Sequence, residues 1–289
     1  MSKTFTATLL ASRKLRGTLQ YSDKLVDHVP SGVSLDLPGN AFDKQRITLK
    51  DLAIHASGLE RNGSFFAATP PVKTQTAQQL FDQFVSDPLA HHQLHTGYAY
   101  SNIAYSLLAD ALDLPDHTFE NQIKNRILEP LGMNDTTTIV TDNSRVPEVP
   151  GFLLLQGQTR GPAYAGAGGY HSSLDDMMTF LRWNMKLESI DAATDAIIDE
   201  VQTDHTLTTV NLAAPTDTSG ATTTVGLAWE VTHNSPRSGM TRLSKGGADG
   251  AWRSYIAHVK GQPRGVVILV AGSQKPGQLG KDILKLITP

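Results

Sequence analysis

Beyond about residue 220 the chain changes its period. Val225 to Val231, Met240 to Lys245, Trp252 to Lys260 and Gly265 to Ala271 read as strands, each short and each closed by turn residues. Their succession predicts an antiparallel sheet. Val266 to Ala271 is apolar at every position, so that strand is expected to be covered on both faces. A last helix over Leu279 to Ile287 fits as one cover. The opening helix is a candidate for the other side of the sheet or for a domain junction.

Upstream the period is helical. Phe5, Leu9 and Leu10 recur at helix spacing, with Ala7 and Ala11 between them and Gly17 as a stop. Gly32 to Asn40 is rich in turn-forming residues and reads as a loop. Thr48 caps a short helix reaching His55, and Ser57-Gly58 ends it. Thr76 to Val85, Ile103 to Leu112 and Phe119 to Leu128 each carry one apolar stripe. Ser172 or Ser173 caps a helix over Met177 to Met185, with Asp175 or Asp176 in its first turn. The layout is α/β of the α+β kind. An α/β subdomain comprises 1–32 and 220–289, and a mostly helical subdomain spans 33–219.

Composition narrows the function. With 289 residues the chain can bury a large core. A net charge of −3 with no block of Lys or Arg argues against nucleic acid as partner. Cysteine is absent, which removes disulfides, thiolate metal sites and a cysteine nucleophile. The longest apolar run is far too short to span a bilayer. The first residues, Met1-Ser2-Lys3-Thr4-Phe5, lack a secretory-signal pattern.

Two constellations could carry chemistry. Lys245-Gly246-Gly247-Ala248 precedes the alternating run Arg253 to Ala257. A lysine at a strand end followed by small residues makes an open sheet edge that can pair with an extended substrate. A plain turn between two strands explains the same letters. Tyr100-Ser101-Asn102 stands at the entrance of the helix from Ile103. A phenol and a carboxamide there can both point into a cleft, and a nearby cation would favour the phenolate; alternatively Tyr100 packs and Asn102 caps the helix. Lys3 is either a solvated terminal lysine or the partner of a hydroxyl one turn earlier. No serine in the chain has lysine at the third following position, and no G-x-S-x-G elbow occurs. Ser2 as an N-terminal nucleophile is disfavoured, because its side chain would lie about 100° around the helix from the required direction. His91, His92 and His95 read as a solvated cluster rather than a zinc site. Gly166-Ala167-Gly168-Gly169 reads as a backbone turn rather than a phosphate loop, and His55 as a packed histidine. No metal or cofactor is implied.

Taken in order, Lys3, Tyr100-Ser101-Asn102 and Lys245-Gly246-Gly247 resemble the serine β-lactamase and penicillin-binding family. The nearest branch joins class C β-lactamases, D-alanyl-D-alanine carboxypeptidase/endopeptidases and related esterases. Thr48 to Leu59 is similar to that family's "TLRDLLTHTSGL" segment, and Leu131 to Thr137 to its "PLGM-x-DT" stretch. Gly226-Leu227-Ala228-Trp229-Glu230 also follows the pattern.

The resemblance implies a β-lactamase/transpeptidase-like fold, with an antiparallel sheet flanked by helices, and serine acyl transfer on a β-lactam, D-alanyl peptide or ester. Lys3 matches the lysine of S-x-x-K, Tyr100 the proton-shuttling tyrosine and Asn102 the asparagine that positions lysine and substrate. Lys245 matches the lysine of K-T-G, which keeps the tyrosine acidic and attracts the substrate carboxylate. Gly246, Gly247 and Ala248 line the substrate strand, with Ala248 at the oxyanion position. Gly246 stands where threonine is usual, which tilts the expectation toward esters. The nucleophilic serine and the N-terminal strands of the family's sheet have no counterpart in these residues. The expectation is therefore a hydrolase with little or no activity as written, the alternative being a non-catalytic protein that binds cell-wall peptides or β-lactams. Periplasmic or secreted placement is suggested by the family alone.

Overall fold

The computed structural model describes residues 1–39, 42–62, 76–87, 97–139, 162–205, 222–233 and 240–287. Helix α1 (Ser2–Leu15) is buried from Ser2 to Arg13. One apolar stripe cannot explain that, because threonines alternate with the apolar residues. The threonines are accommodated by bonding backward: Thr4 Oγ1 donates to Met1 O at 2.8 Å and Thr8 Oγ1 to Thr4 O at 2.8 Å. Thr6 Oγ1 donates to Gly166 O at 2.9 Å. Phe5 packs edge-on against Tyr170 and Phe180. Full burial of a side chain of that size is worth about 1.5–3 kcal/mol.

Short helices α2 (Phe42–Arg46) and α3 (Leu49–Ala53) follow. Thr48 and Asp51 cap α3 reciprocally, each side chain taking the other's backbone N–H. Helix α4 (Ala77–Ser86) buries Leu80, Phe81 and Phe84 behind the same kind of cap at Thr76. In α5 (Asn102–Ala111) the cap is Ser101, whose hydroxyl accepts from Ala104 N–H. Asn102 is thus not the cap, and its amide is available elsewhere. Helix α6 (Phe119–Ile123) runs on through a π-helical turn over Lys124–Leu128. The glycine-rich segment forms α7 (Ala165–Gly168), one tight turn against α1 and α5. Ser173 caps α8 (Leu174–Asn184). Helix α9 (Ala192–Gln202), absent from the sequence reading, is capped by Asp191 and Thr194.

The sheet runs β1 (Thr222–Val225), β2 (Glu230–His233), β3 (Thr241–Asp249), β4 (Trp252–Val259) and β5 (Gly265–Ala271), in that spatial order and antiparallel throughout. The expected single strand over 225–231 is two strands. Gly226 to Trp229 turns the chain between them, with Gly226 N–H bonded to Trp229 O at 2.9 Å and Ala228 at φ 65°. Helix α10 (Pro276–Leu286) covers one face, placing Leu284 against Tyr255, Ala257 and Val266. The second cover is α8 rather than the opening helix: Leu181 and Met185 crowd Gly265. Complete coverage of β5 is not found. It lies at a sheet edge among the described residues, and Leu269 is 39% exposed.

Candidate active site

Lys3 occupies the first turn of α1, whose burial carries the lysine inside with only 2% of its surface exposed. The solvated reading of this residue is overturned. Its Nζ donates to Asn102 Oδ1 at 2.7 Å and to the carbonyl of Ala167 at 2.6 Å. Burial first, then the charges of Lys245 and Arg61, hold its pKa well below the ordinary lysine value. A neutral amine has two N–H donors and one lone pair. Both donors are used here, so the lone pair is what Lys3 can offer to a third group.

Asn102 is fixed from both ends. Its Nδ2 donates to Asn62 Oδ1 at 2.8 Å, which leaves Oδ1 facing Lys3. Its backbone N–H bonds to Arg61 O at 2.7 Å. The Ser101 hydroxyl donates to Glu60 O at 2.7 Å. Segment 60–62 is therefore laced to the start of α5.

Tyr100 lies partly buried just ahead of that helix, and three basic side chains surround its ring. Lys3 Nζ stands 5.1 Å from the ring centroid, Lys245 Nζ 5.0 Å and the Arg61 guanidinium carbon 5.0 Å. The expectation that cations keep this phenol acidic is not met. Burial pushes its pKa up to about 12; Arg61 pulls down and Glu230 pushes up by smaller amounts. The basic groups are placed against the ring, and loss of hydration outweighs them. At neutral pH Tyr100 is a protonated donor.

His55, at the end of α3 with φ 60°, is buried beside the same tyrosine, its ring centroid 4.4 Å away. Its Nδ1 accepts from Ser101 N–H at 3.1 Å. Burial first, then Lys245, Lys3 and Arg61, keep it neutral by holding its pKa well below the usual histidine value. It is a packed residue, as its sequence context indicated, and it helps to shape the Tyr100 turn.

Lys245 sits within β3, 3% exposed, its pKa lowered by burial and partly restored by Glu230. Lys245-Gly246-Gly247 is not the turn between strands. The ladder with β4 continues through Gly246↔Tyr255, Gly247↔Ser254 and Ala248↔Arg253 to Asp249↔Trp252, and the turn falls at Gly250. On the other side, pairing with β2 stops at Glu230↔Ser244. Among the described residues, 245–248 therefore have no partner strand there, as the open-edge reading expects. The two glycines differ. A Cβ on Gly247 would collide with Ser254 Oγ, whereas one on Gly246 would meet nothing within 4 Å. Gly247 is required by packing; Gly246 leaves open space beside Lys245.

The structure thus brings together Lys3, Tyr100, Asn102 and Lys245 from α1, the α5 entrance and β3. Ser2 does not join them toward the cleft, since its hydroxyl accepts from Tyr170 N–H at 3.1 Å. His91, His92 and His95 lie outside the described residues. Among the described residues no group of three or more His, Asp or Glu could hold a metal ion, and no helix is long and apolar enough to cross a membrane. Sequence reasoning missed Arg61, Asn62 and the Ala167 carbonyl. The first two stand one residue beyond the Ser57-Gly58-Leu59 motif, a signal that was present.

The Beta-lactamase family model matches residues 1–287. The chain belongs to the beta-lactamase family. Among relatives of this beta-lactamase family member is the D-alanyl-D-alanine-carboxypeptidase/endopeptidase AmpH of Escherichia coli (strain K12). It is 26% identical over 281 residues, covering 94% of this chain and 70% of that protein. A beta-lactamase of Providencia stuartii is 28% identical over 196 residues, 64% of this chain and 46% of that one. Of solved structures, the beta-lactamase/D-alanine carboxypeptidase from Yersinia pestis, complexed with citrate, superposes with a TM-score of 0.79 at 24% identity, over 99% of this chain and 82% of that one. The octameric penicillin-binding protein homologue from Pyrococcus abyssi gives 0.76 at 20% identity, over 99% and 64%. Both establish the β-lactamase/transpeptidase-like fold: an antiparallel sheet with helices.

Proposed function

We propose that this protein is a serine-type acyl-transfer hydrolase acting on β-lactam, D-alanyl peptide or ester carbonyls. The supporting observation is the Lys3 amine, held by Asn102 and Ala167 beside a phenol that Lys245 also faces. In this reading the nucleophile is a hydroxyl one helical turn before Lys3, at the position directly preceding Met1, outside the 289 residues. The Lys3 lone pair takes its proton as the carbonyl is attacked. Tyr100, protonated at neutral pH, donates to the leaving group. The side of β3 at 245–248 that has no partner strand among the described residues receives the substrate backbone as an added strand. An extracytoplasmic location goes with that substrate class.

The test compares residues 1–289 with the same chain carrying its upstream residues, a serine directly before Met1 included, on nitrocefin and on p-nitrophenyl esters. Turnover is expected from the longer form and little or none from residues 1–289. Flat progress curves from a folded, serine-bearing protein would refute the reading. The open β3 edge also fits a second reading, in which the cleft binds cell-wall peptides or β-lactams without acylation. A covalent adduct with labelled penicillin on the serine-bearing form excludes it.

A further inference from the structure

Three basic side chains face Tyr100, but their donors are not equally free. Those of Lys3 are spent on Asn102 and Ala167. Lys245 is 3% exposed, so its ammonium is withdrawn from bulk solvent. Arg61 is exposed, and its guanidinium makes no hydrogen bond or ion pair with a described residue. Packing on one aromatic ring leaves the five N–H donors of the fork without an acceptor among the described residues.

Nor is Arg61 a loosely held surface side chain. Its backbone carbonyl accepts from Asn102 N–H, Asn62 accepts from the Asn102 amide, and Glu60 O accepts from the Ser101 hydroxyl, all at 2.7–2.8 Å. The arginine thus comes from a segment tied to the residues that carry the phenol and the carboxamide. In β3, Gly246 offers no hydroxyl and leaves the space beside Lys245 open. A substrate that ends in a carboxylate needs a donor pair that Gly246 cannot supply. A guanidinium meets a carboxylate with two parallel N–H bonds.

We propose that Arg61 is a specificity-determining residue that binds the terminal carboxylate of an acyl-D-amino-acid substrate, taking over the anchoring that a hydroxyl at position 246 would otherwise provide. This rests on the acyl-transfer reading and names the chemical class its substrate belongs to. The two can fail separately, because the proposal concerns binding and the other concerns turnover.

The test is calorimetric titration of the full 289-residue chain with N-acetyl-D-alanyl-D-alanine and with its C-terminal amide. The unaltered chain is expected to bind the acid roughly tenfold more tightly than the amide, a preference that weakens with added salt. Arg61→Gln is expected to bring the acid down to the level of the amide, leaving the amide and the melting temperature unchanged. Arg61→Lys is expected to keep part of the preference, since charge survives without the fork. An acid preference untouched by Arg61→Gln would overturn the proposal and leave the acyl-transfer reading standing. So would an equal loss for acid and amide. Failure of the unaltered chain to bind either peptide would overturn the proposal together with D-alanyl peptides as substrate class, while ester turnover by the serine-bearing form would still stand.

Discussion

The amine of Lys3 reaches the carboxamide oxygen of Asn102 at 2.7 Å across 99 positions of sequence. That bond joins the first turn of one helix to the first residue of another, and both ends are buried or half-buried. Desolvation makes a lysine in this place costly, so its presence is at odds with stability alone.

Replacing it separates the two roles. In the serine-bearing protein Lys3→Met should lower kcat by roughly 10²–10⁴-fold, the range for loss of a general base. Denaturation should show stability unchanged or raised, because a buried amine has been exchanged for an apolar chain of similar length. A large loss of stability with activity retained would contradict this assignment.

Tyr100→Phe tests the donor. The Tyr100 hydroxyl makes no hydrogen bond with a described residue, so stability should change by less than about 0.5 kcal/mol. Turnover by the serine-bearing protein should fall by roughly 10²-fold or more. Because the pKa of this phenol stands near 12, turnover should not require its ionisation, and a pH–rate profile should show no gain on its account through neutral pH.

Two glycine replacements should part company. A Cβ on Gly166 would fall 2.6 Å from the backbone oxygen of Tyr105, which cannot move without shifting α5. Gly166→Ala should cost about 1–3 kcal/mol by urea denaturation. Gly246→Thr meets open space at its Cβ and should leave stability nearly unchanged. In the serine-bearing protein it should improve kcat/KM for carboxylate-bearing substrates over simple esters.

Acid should loosen the fold through its buried histidines. His258 is 1% exposed, and burial lowers its pKa from 6.5 to about 4, against a smaller opposing hydrogen bond from Val259. His55 is shifted the same way. Unfolding lets both take up protons, so their stabilisation is complete above about pH 6.5 and falls with pH below it, that of His258 being lost as the pH falls toward 4. The slope is about 1.4 kcal/mol per pH unit for each histidine. Urea midpoints at pH 7 and pH 5 should show the loss, and His258→Gln should flatten it.

Helix positions were legible in the sequence wherever a side chain announces its own backbone role. Thr48, Thr76 and Ser173 cap the helices they precede. Helix α9 was missed, although Asp191 and Thr194 form a cap ahead of Ile197, Ile198 and Val201. The strand pair around Gly226 to Trp229 was read as continuous because Leu227, Ala228 and Trp229 are apolar, and the left-handed backbone at Ala228 has no glycine to signal it. Coverage of β5 depends on tertiary packing, which no local pattern encodes. At the site, Lys3, Tyr100, Asn102 and Lys245 were named beforehand, but Ser101 rather than Asn102 caps α5. The upward shift of the phenol depends on burial, which adjacency in sequence does not express.

The cluster around Tyr100 draws on chain segments near residues 3, 61, 102, 167 and 245, with Lys3 bonded to Ala167 across 164 positions. No contiguous fragment shorter than residues 3–245 contains it. Its assembly therefore reports on tertiary structure that joins distant parts of the chain, and helices formed in isolation do not build it.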